Sequence, residues 1–134
     1  MHIAVLDDDP AVLHAIDAML SMAGYTVSAY RAGQKLLDVL FPGGIPYRDR
    51  ENLPFDLLIL NLSLKEPLRG TDVFLRVRDT WRADELPIIA ITTADKATSA
   101  QVSSILPDDV ILLRKPVALH VLLNHVSQLL GDRK

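Results

Sequence analysis

Short, almost uninterrupted apolar runs alternate along the chain with longer segments whose apolar residues recur every three or four positions. The first pattern predicts strands buried on both faces, and the second predicts amphipathic helices. The repeated strand–helix order predicts a parallel sheet covered by helices on both sides, because parallel strands need crossover connections. The predicted strands are 3–6, 25–30, 56–62, 87–92 and 109–115, and the predicted helices are 10–23, 33–41, 71–81, 95–106 and 117–130.

Local signals mark the ends of the first helix and one long loop. Asp9 followed by Pro10 predicts an N-cap and a first helical residue, and Gly24 predicts the stop. The segment 42–54 reads "PGGIPYRDRENLP", with three prolines, two glycines and alternating charges. We therefore expect 42–54 to be an exposed and mobile loop.

Composition and charge narrow the class of protein. The chain has 134 residues, 49% of them hydrophobic and 23% charged, with a net charge of −3, as in an ordinary single globular domain. It has no cysteine, which excludes disulfides and thiolate metal sites. No basic run indicates nucleic acid binding, and no apolar run approaches the roughly 18 residues of a membrane span. The start "MHIAVLDDDP" lacks the basic region of a signal peptide, so we expect a cytoplasmic protein.

Polar residues follow the predicted strands at the edge where sites form in parallel sheets, beyond the carboxyl ends of the strands. Asp7 and Asp8 follow the first strand, Asn61 stands in the third, Thr92 ends the fourth, and Lys115 follows the fifth. Each residue alone has an ordinary interpretation, such as a loop carboxylate, a strand-end threonine or a solvated lysine. Together they predict a polar site, and the crowded carboxylates favour a divalent cation.

Four segments, "VLDDDP", "FDLLILNLSL", "PIIAIT" and "LLRKPV", resemble in content and order the receiver domain of two-component response regulators. The resemblance runs from Ile3 to Leu130. It implies one flavodoxin-like, doubly wound domain over 1–134, with strand order 2-1-3-4-5 and five helices. It also implies a signalling module and no enzyme. Its partners would be a histidine kinase, another receiver or an output protein, bound through the fourth and fifth helices, or a second copy across the helix 4–strand 5–helix 5 face.

The resemblance also assigns roles to single residues. The Mg²⁺ ligands fall on Asp7, Asp8 and the main-chain carbonyl of Ser63, and the phosphoryl contacts fall on Thr92 and Lys115, with Pro116 after a cis bond. The phosphoacceptor position, an aspartate in the family, falls on Asn61.

The amide of Asn61 changes the expected chemistry. A neutral amide oxygen is a far poorer nucleophile than the carboxylate that accepts a phosphoryl group in the family. We therefore expect no phosphotransfer and only a weak Mg²⁺ site, because one negative charge is missing beside the ion. We expect the amide to accept a hydrogen bond from Lys115 and to donate one to Asp8, which would satisfy the strand end.

Other departures from the family pattern point the same way. Leu112 replaces the aromatic residue that reports switching, and Thr93 stands where a small residue usually admits the phosphate. Pro67 and Gly70 come one or two residues late, and the loop 42–54 is longer than usual. We interpret the chain as a pseudo-receiver that acts by protein–protein interaction. Because it stops after the fifth helix, we expect no DNA-binding output in this chain.

Three alternatives remain open. The chain could be an ordinary Mg²⁺-dependent receiver in which the acceptor aspartate was engineered to Asn61. Its acceptor could lie elsewhere, with Ser63 as the nearest hydroxyl. Finally, Asp7 could be the nucleophile of a metal-dependent phosphohydrolase, although neither His2 nor His14 is a clear general acid–base.

Overall fold

Five parallel strands form one sheet in the order β2-β1-β3-β4-β5, which confirms the predicted doubly wound, flavodoxin-like fold. The computed structural model describes residues 1–64, 69–93, 106 and 110–131. The strands are β1 (His2–Leu6), β2 (Thr26–Tyr30), β3 (Leu57–Asn61), β4 (Ile88–Thr92) and β5 (Ile111–Arg114). The helices described are α1 (Pro10–Met22), α2 (Gly33–Leu40), α3 (Gly70–Thr80) and α4 (Leu119–Gly131).

The helix predicted over 95–106 lies outside the described residues except for Leu106. α4 is therefore the fifth of the predicted helices. None of the helices in the described part of the chain is long and apolar enough to cross a membrane.

Alternate residues of the strands face two separate apolar layers, as the period of two in a strand requires. On one face α2 and α3 cover the sheet, and on the other α1 and α4 cover it. β3 and β4 are buried along their whole length, which explains their continuous apolar sequences. The strand residues of the first face are Ala4, Leu6, Leu58, Leu60, Ile88 and Ala90, and those of the second are Ile3, Val5, Leu57, Ile59, Ile89 and Ile91.

The capping signals at the ends of α1 are confirmed. The Oδ1 of Asp9 accepts a hydrogen bond from the Ala11 amide at 3.0 Å. Beyond the helix, Gly24 has a φ of +97°, a left-handed conformation that side chains disfavour. Because Asp9 caps the helix, the chain between β1 and α1 is held close to the carboxyl edge of the sheet.

The long loop 42–54 is attached to the end of α3. The indole Nε1 of Trp81 donates to the carbonyl of Tyr47 at 2.9 Å, and the ring of Trp81 lies 5.1 Å from that of Phe41. Arg76 lies over the Phe41 ring at 4.6 Å. The loop is exposed at Gly43, Gly44 and Ile45 as predicted, but Tyr47 is half-buried against the core and fixes its middle.

The start of α3 packs directly against the end of β3, and only a glycine allows this approach. A Cβ on Gly70 would overlap the carbonyl oxygen of Asn61 and would lie 2.6 Å from the Cα of Leu62. Both contacts are with backbone, which cannot rotate away as a side chain can. Gly70 therefore holds α3 and the strand that carries Asn61 at a fixed distance.

We expect Gly70→Ala to lower the free energy of unfolding by at least about 2 kcal/mol, because the methyl group would push α3 away from β3. Gly131→Ala is the matched control, since a Cβ there would meet nothing within 4 Å. It should leave stability unchanged or raise it by up to about 1 kcal/mol. Urea unfolding followed by circular dichroism measures both, and equal stabilities for the two variants would contradict the close approach.

Candidate functional site

Four strands bring their polar end residues to one edge of the sheet. β1, β3, β4 and β5 run parallel in register, so Asn61 pairs with Ile91 and Thr92 pairs with Arg114. The side chains of Asp7, Asn61 and Thr92 are buried there, and that of Lys115 is mostly so. The structure thus brings together four of the residues that the sequence singled out, with Ser63 as a fifth.

The carboxylate of Asp7 is the centre of this site. Asp7 is 1% exposed, and its Oδ1 accepts hydrogen bonds from the Asp9 amide at 2.9 Å, Lys115 Nζ at 3.2 Å and Asn61 Nδ2 at 3.3 Å. Lys115 Nζ also lies 3.0 Å from Oδ2, although Oδ2 accepts no hydrogen bond from any described residue. The lysine therefore compensates a buried negative charge that would otherwise be costly.

The amide of Asn61 is bonded differently from what the sequence suggested. Its Nδ2 donates to Asp7, not to Asp8, and its Oδ1 accepts from the Ser63 amide at 2.9 Å, not from Lys115. The prediction for both partners was wrong. The amide of Ser63, two residues after Asn61, is close enough in the turn to donate to the Asn61 oxygen. Lys115 donates instead to Asp7, because a charged carboxylate is a stronger acceptor than a neutral amide.

Ser63 and Thr92 join β3 to β4 above the strand ends. The Oγ of Ser63 lies 3.1 Å from the Oγ1 of Thr92, and the Thr93 amide donates to the same Oγ of Ser63 at 2.9 Å. Sequence reasoning considered the carbonyl of Ser63 and missed these contacts of its hydroxyl. The only available signal was the Asn-x-Ser spacing of 61–63, which favours a turn that points the serine back toward its neighbours.

Two predicted residues lie at the margin of the cluster. Asp8 is exposed, and no hydrogen bond or ion pair of its side chain to the described residues is found. Leu112 is half-buried and packs against the apolar layer of α2 and α3.

The peptide bond between Lys115 and Pro116 is cis, as the family resemblance implied.

The described residues contain no group of three or more histidine, cysteine, aspartate or glutamate side chains placed to hold a metal ion. Asp7 contributes a buried oxygen without a hydrogen bond, and Asp8 is exposed beside it. Asn61, which would also face an ion, carries an amide whose N–H donates to Asp7. Asp7 and Asp8 have the anionic oxygens that Mg²⁺ prefers, and Asn61 has a neutral amide.

A doubly wound parallel sheet with a buried acid, a hydroxyl and a lysine at its carboxyl edge defines a receiver-type signalling domain. The chain belongs to the response regulator receiver domain family, whose sequence profile matches residues 3–127. Domains of this family are signalling modules that interact with histidine kinases and output domains and typically bind Mg²⁺ at the phosphorylation site.

Individual relatives agree with this assignment. The response regulator MprA of Mycobacterium avium (strain 104) is 33% identical over 134 residues, which are 100% of this chain and 53% of MprA. The chain spans about half the length of the curated relatives it matches.

Solved structures show the same fold. A response regulator receiver protein from Sinorhizobium medicae WSM419 has a TM-score of 0.77 and 25% identity, over 100% of this chain and 97% of that one. A response regulator receiver protein from Burkholderia phymatum has a TM-score of 0.68 and 26% identity, over 97% of this chain and 94% of that one.

We expect Lys115→Met to lower the free energy of unfolding by about 2 to 4 kcal/mol, because Asp7 would remain buried without its cation. Adding Asp7→Asn should recover part of this loss, and a double-mutant cycle by urea unfolding measures the coupling. Arg82→Gln is the control, since it breaks the ion pairs of a 78% exposed arginine with Asp84 and Glu85 and should cost less than about 1 kcal/mol. Equal effects of Lys115→Met and Arg82→Gln would contradict a structural role for the buried pair.

Proposed function

We propose that this protein is a receiver-like signalling module of a two-component phosphorelay that is not phosphorylated at position 61 and acts by protein–protein interaction. The observation that carries the proposal is Asn61 itself. It stands at the carboxyl end of β3, is 2% exposed, and is hydrogen-bonded to Asp7 where the family has its acceptor aspartate.

The geometry of Asn61 supports a lack of phosphotransfer. Acceptance of a phosphoryl group requires an oxygen lone pair on a negatively charged carboxylate. Here the side chain is neutral, its oxygen is occupied by the Ser63 amide, and its nitrogen presents N–H groups. Lys115, the residue that would pair with a phosphoryl oxygen, is bound to Asp7.

Asp7, Asp8 and the carbonyl of Ser63 would hold Mg²⁺ weakly. When bound, the ion would supply positive charge beside the two carboxylates. Lys115 already supplies a positive charge to Asp7, at 3.0 Å from Oδ2. The ion and the lysine would therefore compete for the same carboxylate.

The partners that we propose are a histidine kinase, another receiver or an output protein in the cytoplasm. The surface would include the predicted fourth and fifth helices and β5, and the same face could pair two copies of the chain. Leu112 on β5 supports binding that is not gated. Its half-buried side chain packs on the apolar layer of α2 and α3. A leucine can remain there with or without a phosphoryl group in the site.

The other interpretations have less support from the site. A phosphohydrolase would need a general acid–base near Asp7, but His2 lies at the amino end of β1, the opposite edge, and His14 is exposed on α1. The hydroxyl of Ser63 is engaged by Thr92 and Thr93, which does not favour an acceptor role. An engineered asparagine would be revealed by an aspartate codon at position 61 of the source gene.

Incubation with acetyl phosphate and Mg²⁺ should leave the intact mass of the protein unchanged, because no carboxylate is available at position 61. Asn61→Asp is the matched variant and should gain one acid-labile phosphoryl group, since its carboxylate oxygen can attack phosphorus and release acetate. Intact-mass spectrometry measures both. A phosphoryl group on the unsubstituted protein, mapped to any residue of this site, would refute the proposal.

Asn61→Asp should also bind Mg²⁺ at least tenfold more tightly than the unsubstituted protein, because a third carboxylate would face the ion. Magnesium titration followed by amide chemical shifts of the β1–α1 loop gives both dissociation constants. Asp38→Asn, on the exposed face of α2, removes one charge away from the site and should leave Mg²⁺ affinity unchanged. Equal affinities for Asn61→Asp and the unsubstituted protein would show that the acidic edge is not a metal site.

A further inference from the structure

The hydroxyl of Ser63 stands between two groups that face the site. Its Oγ is 3.1 Å from the Oγ1 of Thr92 and accepts a hydrogen bond from the Thr93 amide at 2.9 Å. Thr92 is fully buried, so its hydroxyl has little access to water. With Thr92 as the donor, its hydroxyl and the Thr93 amide converge on one oxygen, and an oxygen of a phosphoryl group could accept the same two hydrogen bonds.

The backbone of Ser63 is held as firmly as its side chain. Its amide donates to Asn61 Oδ1 at 2.9 Å, and the Leu62 amide donates to the Ile91 carbonyl at 2.7 Å. Ser63 is therefore fixed on one side to β3 through Asn61 and on the other to the end of β4. The hydroxyl is presented from a constrained turn, so it needs little further ordering to remain on Thr92.

We propose that Ser63 is an internal positioning residue whose hydroxyl takes the place of a phosphoryl oxygen on Thr92 and the Thr93 amide. It holds Thr92 in one arrangement without phosphorylation, and it obstructs the space that an incoming phosphoryl group would need. This inference rests on the proposed function and adds to it a second obstacle to phosphorylation, separate from the missing carboxylate at position 61.

The obstruction is tested in the Asn61→Asp background, where phosphoryl transfer from acetyl phosphate is chemically available. The carboxylate oxygen forms a bond to phosphorus, the bond from phosphorus to the acetate oxygen breaks, and acetate leaves. Adding Ser63→Ala should raise the rate of phosphorylation about fivefold to tenfold, since one hydrogen-bonded group no longer has to be displaced. Adding Ser63→Thr should leave the rate as in Asn61→Asp alone, because the hydroxyl is kept.

Ser21→Ala, added to Asn61→Asp, is the matched control. Ser21 is an exposed serine on α1 whose hydroxyl bonds to Asp17, and its loss should not change the rate. Equal rates for Asn61→Asp with and without Ser63→Ala, or a slower rate with Ser63→Ala, would overturn the inference and leave the proposed function intact. Phosphorylation of the unsubstituted protein would instead refute the proposed function.

A second measurement compares the unsubstituted chain with Ser63→Ala and Ser63→Thr and requires no phosphorylation. The Thr93 amide should be protected from hydrogen exchange, and its proton shift should move upfield in Ser63→Ala but not in Ser63→Thr. An unprotected Thr93 amide, or an equal shift in both variants, would overturn the role of the hydroxyl.

Discussion

The carboxylate of Asp7, buried at the carboxyl end of the central part of the sheet, is the constraint on which the site depends. A buried charge must be compensated by nearby donors or cations. Asp7 meets this requirement with the Asp9 amide beside it, Asn61 on β3 and Lys115 after β5. One charged group thus ties the start of α1 and two strands to a common point.

Asn61 makes the buried charge of Asp7 compatible with Lys115 as its neighbouring cation. Two carboxylates at the 3.3 Å that separates Asn61 Nδ2 from Asp7 Oδ1 would repel each other unless a cation lay between them. An amide turns the same contact into a hydrogen bond. The amide oxygen then orders Ser63, whose hydroxyl continues the network to Thr92. Polar groups at the ends of β1, β3, β4 and β5 are in this way connected to one another.

The fold could be predicted from the sequence because its signals are local and strong. Continuous apolar strands such as 57–60, the Asp9–Pro10 helix start and the strand–helix alternation all agree with the observed architecture. The location of the site followed from topology, since parallel strands bring their ends to one edge. The hydrogen-bond partners of Asn61 did not follow, because sequence spacing does not say which of two adjacent aspartates turns inward. The attachment of Trp81 to Tyr47 was missed for a similar reason, as the two residues are 34 positions apart.

The most direct test of this account is whether the site responds to a phosphoryl mimic. Amide spectra of the unsubstituted protein would be recorded during titration with Mg²⁺ and beryllofluoride, with attention to residues 110–117 and Thr93. Because Asn61, Ser63 and Thr92 already hold one another, we expect almost unchanged shifts and a single conformation throughout. Large, saturable shifts in those residues would show a working switch and would contradict the account.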